Sequence, residues 1–183
     1  MSTSLLNKLV PHGVSLDSVG AGRQQITRSD VAAALGFKGL SKPASYFGLA
    51  KYCDDNAAAS KLTEYLESYI EHCASRENWS QGLKSANGLA QLMMLEGVYG
   101  VTCKKCKGVG SVITSRNYAF STEECGRCRG TGAMVLSGRQ RASIAEISPS
   151  SWERHWKSRL DFLLQHIYEL EDQLHTHLKR QFN

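Results

Sequence analysis

A short pattern of cysteines and glycines occurs twice in the middle of the chain and limits the fold of that region more than any other feature. The copies are CKKCKGVG, starting at Cys103, and CGRCRGTG, starting at Cys125, and both have the form CxxCxGxG. Together they give the spacing C-x2-C-x18-C-x2-C, which is typical of structural zinc sites. The glycines allow sharp backbone turns that bring N–H groups close to the sulfurs. We therefore predict that this segment folds around one metal ion.

All four ligands of the predicted site would be protein sulfur. They are Cys103, Cys106, Cys125 and Cys128. Because no coordination position remains for a water, the predicted cofactor is one structural Zn²⁺ per chain. The motifs alone leave open a second interpretation, in which the two CxxC pairs are independent redox sites, but their duplication and their glycines favour zinc.

Basic residues are concentrated in the same part of the chain. The protein has 183 residues and a formal net charge of +5. From Cys103 to Leu160 there are eleven Lys and Arg against four Asp and Glu, whereas the remaining residues are slightly acidic. This asymmetry predicts a polyanionic partner, of which nucleic acid is the commonest. The alternative is a solvated basic face without a partner.

Helical periodicity before and after the cysteine motifs predicts a mainly α fold. The expected segments are a flexible N-terminal arm at 1–26, a helical body at 27–100, a zinc-binding module at 101–136, and a helix-turn-helix with a long C-terminal helix at 137–183. Within the body we predict helices from Asp30 to Leu35, from Ala44 to Cys53, from an N-cap at Asn56, and from Trp79 to Val98. Between the two cysteine pairs, residues 111–124 are expected to form a hairpin.

The segment after Gly138 has the pattern of a helix-turn-helix. A first helix is predicted from Arg139 to Ile147, followed by Ser148 as N-cap and Pro149 in the first helical position. Trp152 and Trp156 would anchor the second helix, whose N-terminal end would face DNA. The candidate DNA contacts here and in the zinc module are Ser150, Ser151, Arg154, Lys157, Arg139, Arg141, Lys104, Lys105, Arg127 and Arg129. An ordinary helical corner is the alternative.

The last helix carries an apolar stripe that has to be buried. Its members are Leu160, Leu163, Ile167, Leu170 and Leu174. Because a leucine or isoleucine gains about 1.5–3 kcal/mol on burial, the stripe needs a partner. We predict that it docks on the apolar stripe between Leu62 and Cys73 of the same chain, which gives a monomer. Self-association is the alternative.

The sequence shows no secretory signal and no apolar run long enough to span a membrane. We therefore expect a cytoplasmic protein without a membrane partner. In that reducing compartment cysteines serve more often as metal ligands than in disulfides.

The order of these features resembles the late-gene antitermination proteins Q of lambdoid bacteriophages, in the branch of phage lambda. A helical body precedes two CxxCxGxG motifs and a helix-turn-helix whose second helix bears tryptophan. Further resemblance lies in SDVAAALG at 29–36, YFGLAKYC at 46–53, ECGRC at 124–128 and SWER at 151–154. The similarity extends over residues 27 to 175.

This resemblance implies a function that the residues alone do not. Proteins of the family are not enzymes; they bind double-stranded DNA at the phage late promoter in the host bacterial cytoplasm. They then load onto a paused RNA polymerase through its β flap and σ factor, and the polymerase reads through pauses and terminators. Two alternatives remain: a conventional helix-turn-helix repressor, and a chaperone or interaction module with a zinc knuckle like that of DnaJ, although DnaJ-type chaperones carry four such motifs and a J-domain.

Overall fold

The chain folds into a mainly helical protein with a four-cysteine cluster and a long C-terminal helix, as the sequence predicts. The computed structural model describes residues 28–36, 39–79, 86–116 and 119–182, so the predicted arm at 1–26 lies outside the described residues. The elements in chain order are α1 (Arg28–Leu35), α2 (Lys42–Cys53), α3 (Asn56–Arg76), α4 (Ala86–Met93), a first π-helical segment (Met94–Tyr99), β1 (Ser111–Arg116), β2 (Ala119–Glu124), α5 (Gly138–Ile144), α6 (Pro149–Ser151), a second π-helical segment (Trp152–Trp156) and α7 (Lys157–Phe182).

Side-chain caps set the starts of α2 and α3. The Ser41 hydroxyl accepts a hydrogen bond from the N–H of Ala44, so α2 begins at Lys42 rather than at Ala44 as predicted. The Asp55 carboxylate accepts hydrogen bonds from the N–H groups of the two residues after Asn56, at 2.8 and 3.0 Å. Asp55 is therefore the N-cap of α3, and the prediction of Asn56 was wrong by one position. Both residues fit the preference of N-caps for short side chains with an acceptor oxygen.

The end of α3 corrects the prediction of a helix starting at Trp79. Asn78 adopts a left-handed conformation with φ 52°, and the N–H of Trp79 donates to the carbonyl of Ala74 at 2.8 Å. This hydrogen bond closes the last turn of α3, so Trp79 ends one helix instead of opening the next. The following helix, α4, begins at Ala86, and residues 80–85 lie outside the described residues.

The first π-helical segment continues α4 and lies close to α7. A Cβ atom added at Gly97 would lie 2.7 Å from Cγ2 of Ile167, a distance that requires a neighbour to move. The segment ends at Gly100, which has φ 70°. The absence of a side chain at Gly97 therefore lets the two helices approach each other.

The apolar stripe of the C-terminal helix α7 is buried against other helices of the same chain. The buried residues of its stripe are Leu160, Leu163, Ile167, Leu170 and Leu174. They share one core with the α3 stripe, but α7 lies mainly against α1, α2 and α4 rather than α3. Polar contacts also hold α7: His177 Nε2 lies 2.9 Å from the Ala34 carbonyl, and Lys51 pairs with Glu171 at 2.7 Å. Of the helices in the described ranges, none combines the length and apolar character needed to cross a membrane.

Candidate functional site

The β-hairpin formed by β1 and β2 places the two cysteine motifs next to each other. Its strands pair in antiparallel register from Ser111 opposite Glu124 to Arg116 opposite Ala119. At the base of the hairpin the N–H of Cys125 donates to the carbonyl of Gly110 at 2.8 Å. The predicted hairpin is therefore present, and it brings together two motifs that are far apart in sequence.

The two motifs, which we call the first knuckle (103–110) and the second knuckle (125–132), have the same backbone conformation. The residue after the second cysteine is left-handed in both, with φ 52° at Lys107 and φ 51° at Arg129. The N–H of Cys103 donates to the carbonyl of Gly132 at 2.8 Å, which mirrors the hydrogen bond between Cys125 and Gly110. The repeat in sequence is thus a repeat in structure, with each knuckle bonded to the other.

Two glycines are required where the knuckles meet. Gly110 has φ 82° and Gly132 has φ 71°, a region that L residues with a side chain rarely occupy. A Cβ atom at Gly110 would collide with the carbonyl oxygen of Gly130, and one at Gly132 with that of Gly108. The last glycine of each CxxCxGxG motif is therefore fixed both by its conformation and by the close approach of the other knuckle.

The four cysteine sulfurs lie in one buried cluster of the size that a metal ion needs. All four sulfurs are within 4.8 Å of one another; Cys103 Sγ lies 3.9 Å from Cys125 Sγ, and Cys106 Sγ 3.6 Å from Cys128 Sγ. Tetrahedral coordination with metal–sulfur bonds of about 2.3 Å requires sulfurs about 3.8 Å apart. These distances are far longer than a disulfide bond of about 2.05 Å. The predicted ligand set is thus brought together with room for one ion.

Backbone N–H groups favour the thiolate form of the first cysteine in each motif. The N–H of Cys106 lowers the pKa of Cys103, and the N–H of Cys128 lowers the pKa of Cys125 to about 6. Burial raises the pKa of the Cys128 thiol to about 11. The N–H of Gly110 donates to Cys106 Sγ at 3.3 Å. Because metal binding requires deprotonated sulfur, the lowered pKa values of Cys103 and Cys125 favour a cation at this cluster.

Both ends of α5, the first helix of the predicted pair, are capped. Ser137 and Gln140 form a reciprocal capping box at the start of α5. Its end is closed by a hydrogen bond from the N–H of Ile147 to the carbonyl of Ala142 at 2.9 Å, with Glu146 left-handed at φ 55°. This is the geometry of a Schellman cap. It ends α5 at Ile144, earlier than the predicted Ile147.

The second helix of this pair starts as the sequence predicts. Ser148 is the N-cap, its side chain accepts a hydrogen bond from the N–H of Ser151, and Pro149 follows it at the start of the helix. Trp152 and Trp156 are buried in the core, and the Trp156 ring lies edge-on to Trp79 with centroids 6.1 Å apart. The two tryptophans therefore anchor this helix to the body and leave its opposite side in solvent.

Nine of the ten candidate DNA contacts lie at least partly in solvent without an ion pair to a described residue. The exposed ones are Ser150, Arg154, Lys157, Arg139, Lys104, Lys105, Arg127 and Arg129, and Ser151 is half-buried. Arg154 Nε donates to the carbonyl of Ser150 at 3.1 Å, which holds its side chain along α6. These residues form two groups, one on the helix pair and one on the knuckles.

Arg141 does not belong to this exposed set. Its guanidinium makes two hydrogen bonds to the Glu96 carboxylate, at 2.7 and 2.8 Å, and the two side chains are 19% and 12% exposed. Its predicted role in DNA binding is therefore withdrawn, and we assign it to holding α5 on the first π-helical segment. Sequence inspection missed Glu96 as a partner because the two residues are 45 positions apart and no local pattern connects them.

Loss of this ion pair should destabilise the fold. Arg141→Ala leaves the Glu96 carboxylate largely buried and without its partner, so we expect the free energy of unfolding in urea to fall by about 1–3 kcal/mol. Arg139→Ala, at an exposed position of the same helix two residues after the N-cap Ser137, should change it by less than about 0.5 kcal/mol. Equal stability of the two variants would show that the pair contributes nothing.

The fold and the site together define a mainly helical protein with a buried four-cysteine cluster that could hold a metal ion. No protein-family model and no curated protein sequence matches this chain.

Proposed function

We propose that the cysteine cluster binds one structural Zn²⁺ and that the protein is a DNA-binding transcription antitermination factor. Four sulfur ligands leave no site for a reacting water, so the ion would stabilise the fold and take no part in chemistry. The observation that carries the proposal is the set of exposed basic residues on a capped helix pair, which follows the cysteine centre in the sequence. Loading onto a paused bacterial RNA polymerase, through the β flap and σ factor, rests on the resemblance to the lambdoid antitermination proteins alone.

Double-stranded DNA is the partner that fits the N-terminal end of α6. Ser150 of α6, Arg154 of the second π-helical segment and Lys157 at the start of α7 lie in solvent, on the side away from the anchoring tryptophans. Helix-turn-helix proteins present this end of their second helix to the major groove. Glu153 is also exposed, and it would have to lie beside the duplex rather than against a phosphate.

Two substitutions test the DNA surface. If Arg154 reads a base, Arg154→Ala should weaken binding to the cognate site by about 1–3 kcal/mol and relax specificity at one position. If Lys157 contacts a phosphate, Lys157→Ala should weaken binding to all sequences and reduce the salt slope by about one. Fluorescence anisotropy across a salt series measures both. Wild-type affinity and slope in both variants would rule out this surface.

A transcription assay with purified bacterial RNA polymerase tests the function itself. The template should carry the cognate late promoter, its promoter-proximal pause and a downstream terminator. An antitermination factor increases the fraction of transcripts that pass the terminator and leaves the number of initiations unchanged. Fewer initiations without readthrough would instead identify a repressor. Activity on a template that lacks the promoter-linked DNA site would contradict recruitment by DNA.

A further inference from the structure

The outer face of the β-hairpin exposes two large apolar side chains. Ile113 is 75% exposed and Phe120 is 81% exposed. Ile113 pairs with Thr122 and Phe120 with Ser115, so the two lie on the same face as diagonal neighbours across the strands. Val112, on the opposite face, packs against the cysteines. Packing around the cysteines thus explains why residue 112 is apolar, but it does not explain the apolar side chains of Ile113 and Phe120.

Positive charge surrounds the base of this hairpin. Each knuckle joins a strand directly, and the exposed cations on the two knuckles are Lys104, Lys105, Lys107, Arg127 and Arg129. No described acidic residue forms an ion pair with any of them. Two exposed carboxylates, Glu123 and Glu124, lie at the same base, with Glu124 close to Gly130 of the second knuckle, so the five cations outnumber the acidic side chains there. An anionic ligand reaching the hairpin would therefore meet cations at the surface.

We propose that the hairpin face formed by Ile113 and Phe120 binds single-stranded nucleic acid, with unpaired bases stacked on the Phe120 ring and phosphates held by the knuckles. An exposed aromatic ring beside clustered cations is the combination that single-strand binding proteins use. The bases of a duplex are already stacked on each other, so they are not available to stack on the Phe120 ring. This surface is separate from the duplex surface at α6, and the proposal stands whether or not the protein is an antitermination factor.

Binding of labelled oligonucleotides tests the proposal on the full-length, metal-loaded protein. The probe is a thymidine oligomer of about 16 nucleotides, the upper end of the site sizes of single-strand binding folds. We expect Phe120→Ala to weaken its binding at least about fivefold, as for loss of one stacked base. Phe120→Leu keeps the apolar surface but not the flat ring and should weaken binding as much, whereas Phe120→Trp should retain it. Tyr168→Ala, an exposed aromatic on α7, is the matched control and should leave the affinity unchanged.

The same series separates this surface from the one at α6. Arg154→Ala should weaken binding of a duplex probe and leave the oligomer affinity unchanged, and Phe120→Ala should do the reverse. Unchanged zinc content and circular dichroism would show that each variant is folded, as expected for a substitution at so exposed a position. Wild-type oligomer affinity in Phe120→Ala would overturn the proposal. So would wild-type affinity in Phe120→Leu, because the face would then recognise apolar surface, as a polypeptide-binding module does.

Discussion

Cys125→Ser protein should purify with almost no zinc, whereas the wild-type protein should contain about one equivalent. Four buried sulfurs share the site, and backbone N–H groups lower the pKa of Cys125 to about 6, toward the charged form that a cation needs. Structural zinc supplies roughly 10 kcal/mol or more to small zinc-dependent folds. The cysteine cluster forms a core of its own, apart from that of the helices. We therefore expect residues 103–132 to lose their structure while the helical body stays folded.

Elemental analysis and hydrogen exchange measure the two parts of this prediction separately. In Cys125→Ser, amides of the knuckles and the hairpin should exchange rapidly, and those of α3 and α7 should keep wild-type protection. Treatment of the wild type with a chelator should reproduce this pattern. Cys53→Ser is the matched control, because Cys53 lies outside the cluster, and it should retain its zinc. A full equivalent of zinc in Cys125→Ser would refute the assignment of the ligands.

The sequence predicted the cysteine site well because the chemistry is local. Each CxxC pair needs only a tight turn, and the glycines that permit that turn follow at fixed positions, so the motif specifies both its ligands and its backbone. Two backbone hydrogen bonds join the motifs, one from Cys125 to Gly110 and one from Cys103 to Gly132. They depend on the folded hairpin, so the sequence did not predict them. Arg141 could not be assigned from sequence, since an exposed cation and one paired with a distant carboxylate look the same there.

Helix boundaries were predicted less well than helix positions, for reasons specific to each cap. Ser41 and Asp55 each start a helix one or two residues before the predicted position. At α3 the reason is that Asp55 and the adjacent Asn56 are both favourable N-cap residues. Trp79 continues an apolar pattern, but its backbone N–H closes the helix before it. Periodicity reports which side of a helix is buried and does not report where its hydrogen bonds end. The π-helical segments left no signal in the sequence that we could recognise.

The second large effect is a loss of stability, which we expect when a buried leucine in the apolar stripe of α7 is shortened to alanine. Leu163 is 0% exposed and lies in the core that α7 shares with the other helices of the body. Leu163→Ala removes buried methyl groups and leaves a cavity, and such changes cost about 2–5 kcal/mol. A domain of this size has a total stability of about 5–15 kcal/mol, so the variant should unfold at clearly lower urea concentration and temperature.

The control and the concentration dependence decide where the stripe is buried. Tyr168→Ala alters the same helix at a residue that is 54% exposed and should change the free energy of unfolding by less than about 0.5 kcal/mol. Because the stripe is buried within one chain, the loss in Leu163→Ala should be the same at low and high protein concentration, and sedimentation should show one species in both proteins. A loss that depends on concentration, together with a dimer in the wild type that Leu163→Ala dissociates, would mean that a second chain covers the stripe. A loss below about 1 kcal/mol would mean that Leu163 is not packed in the core.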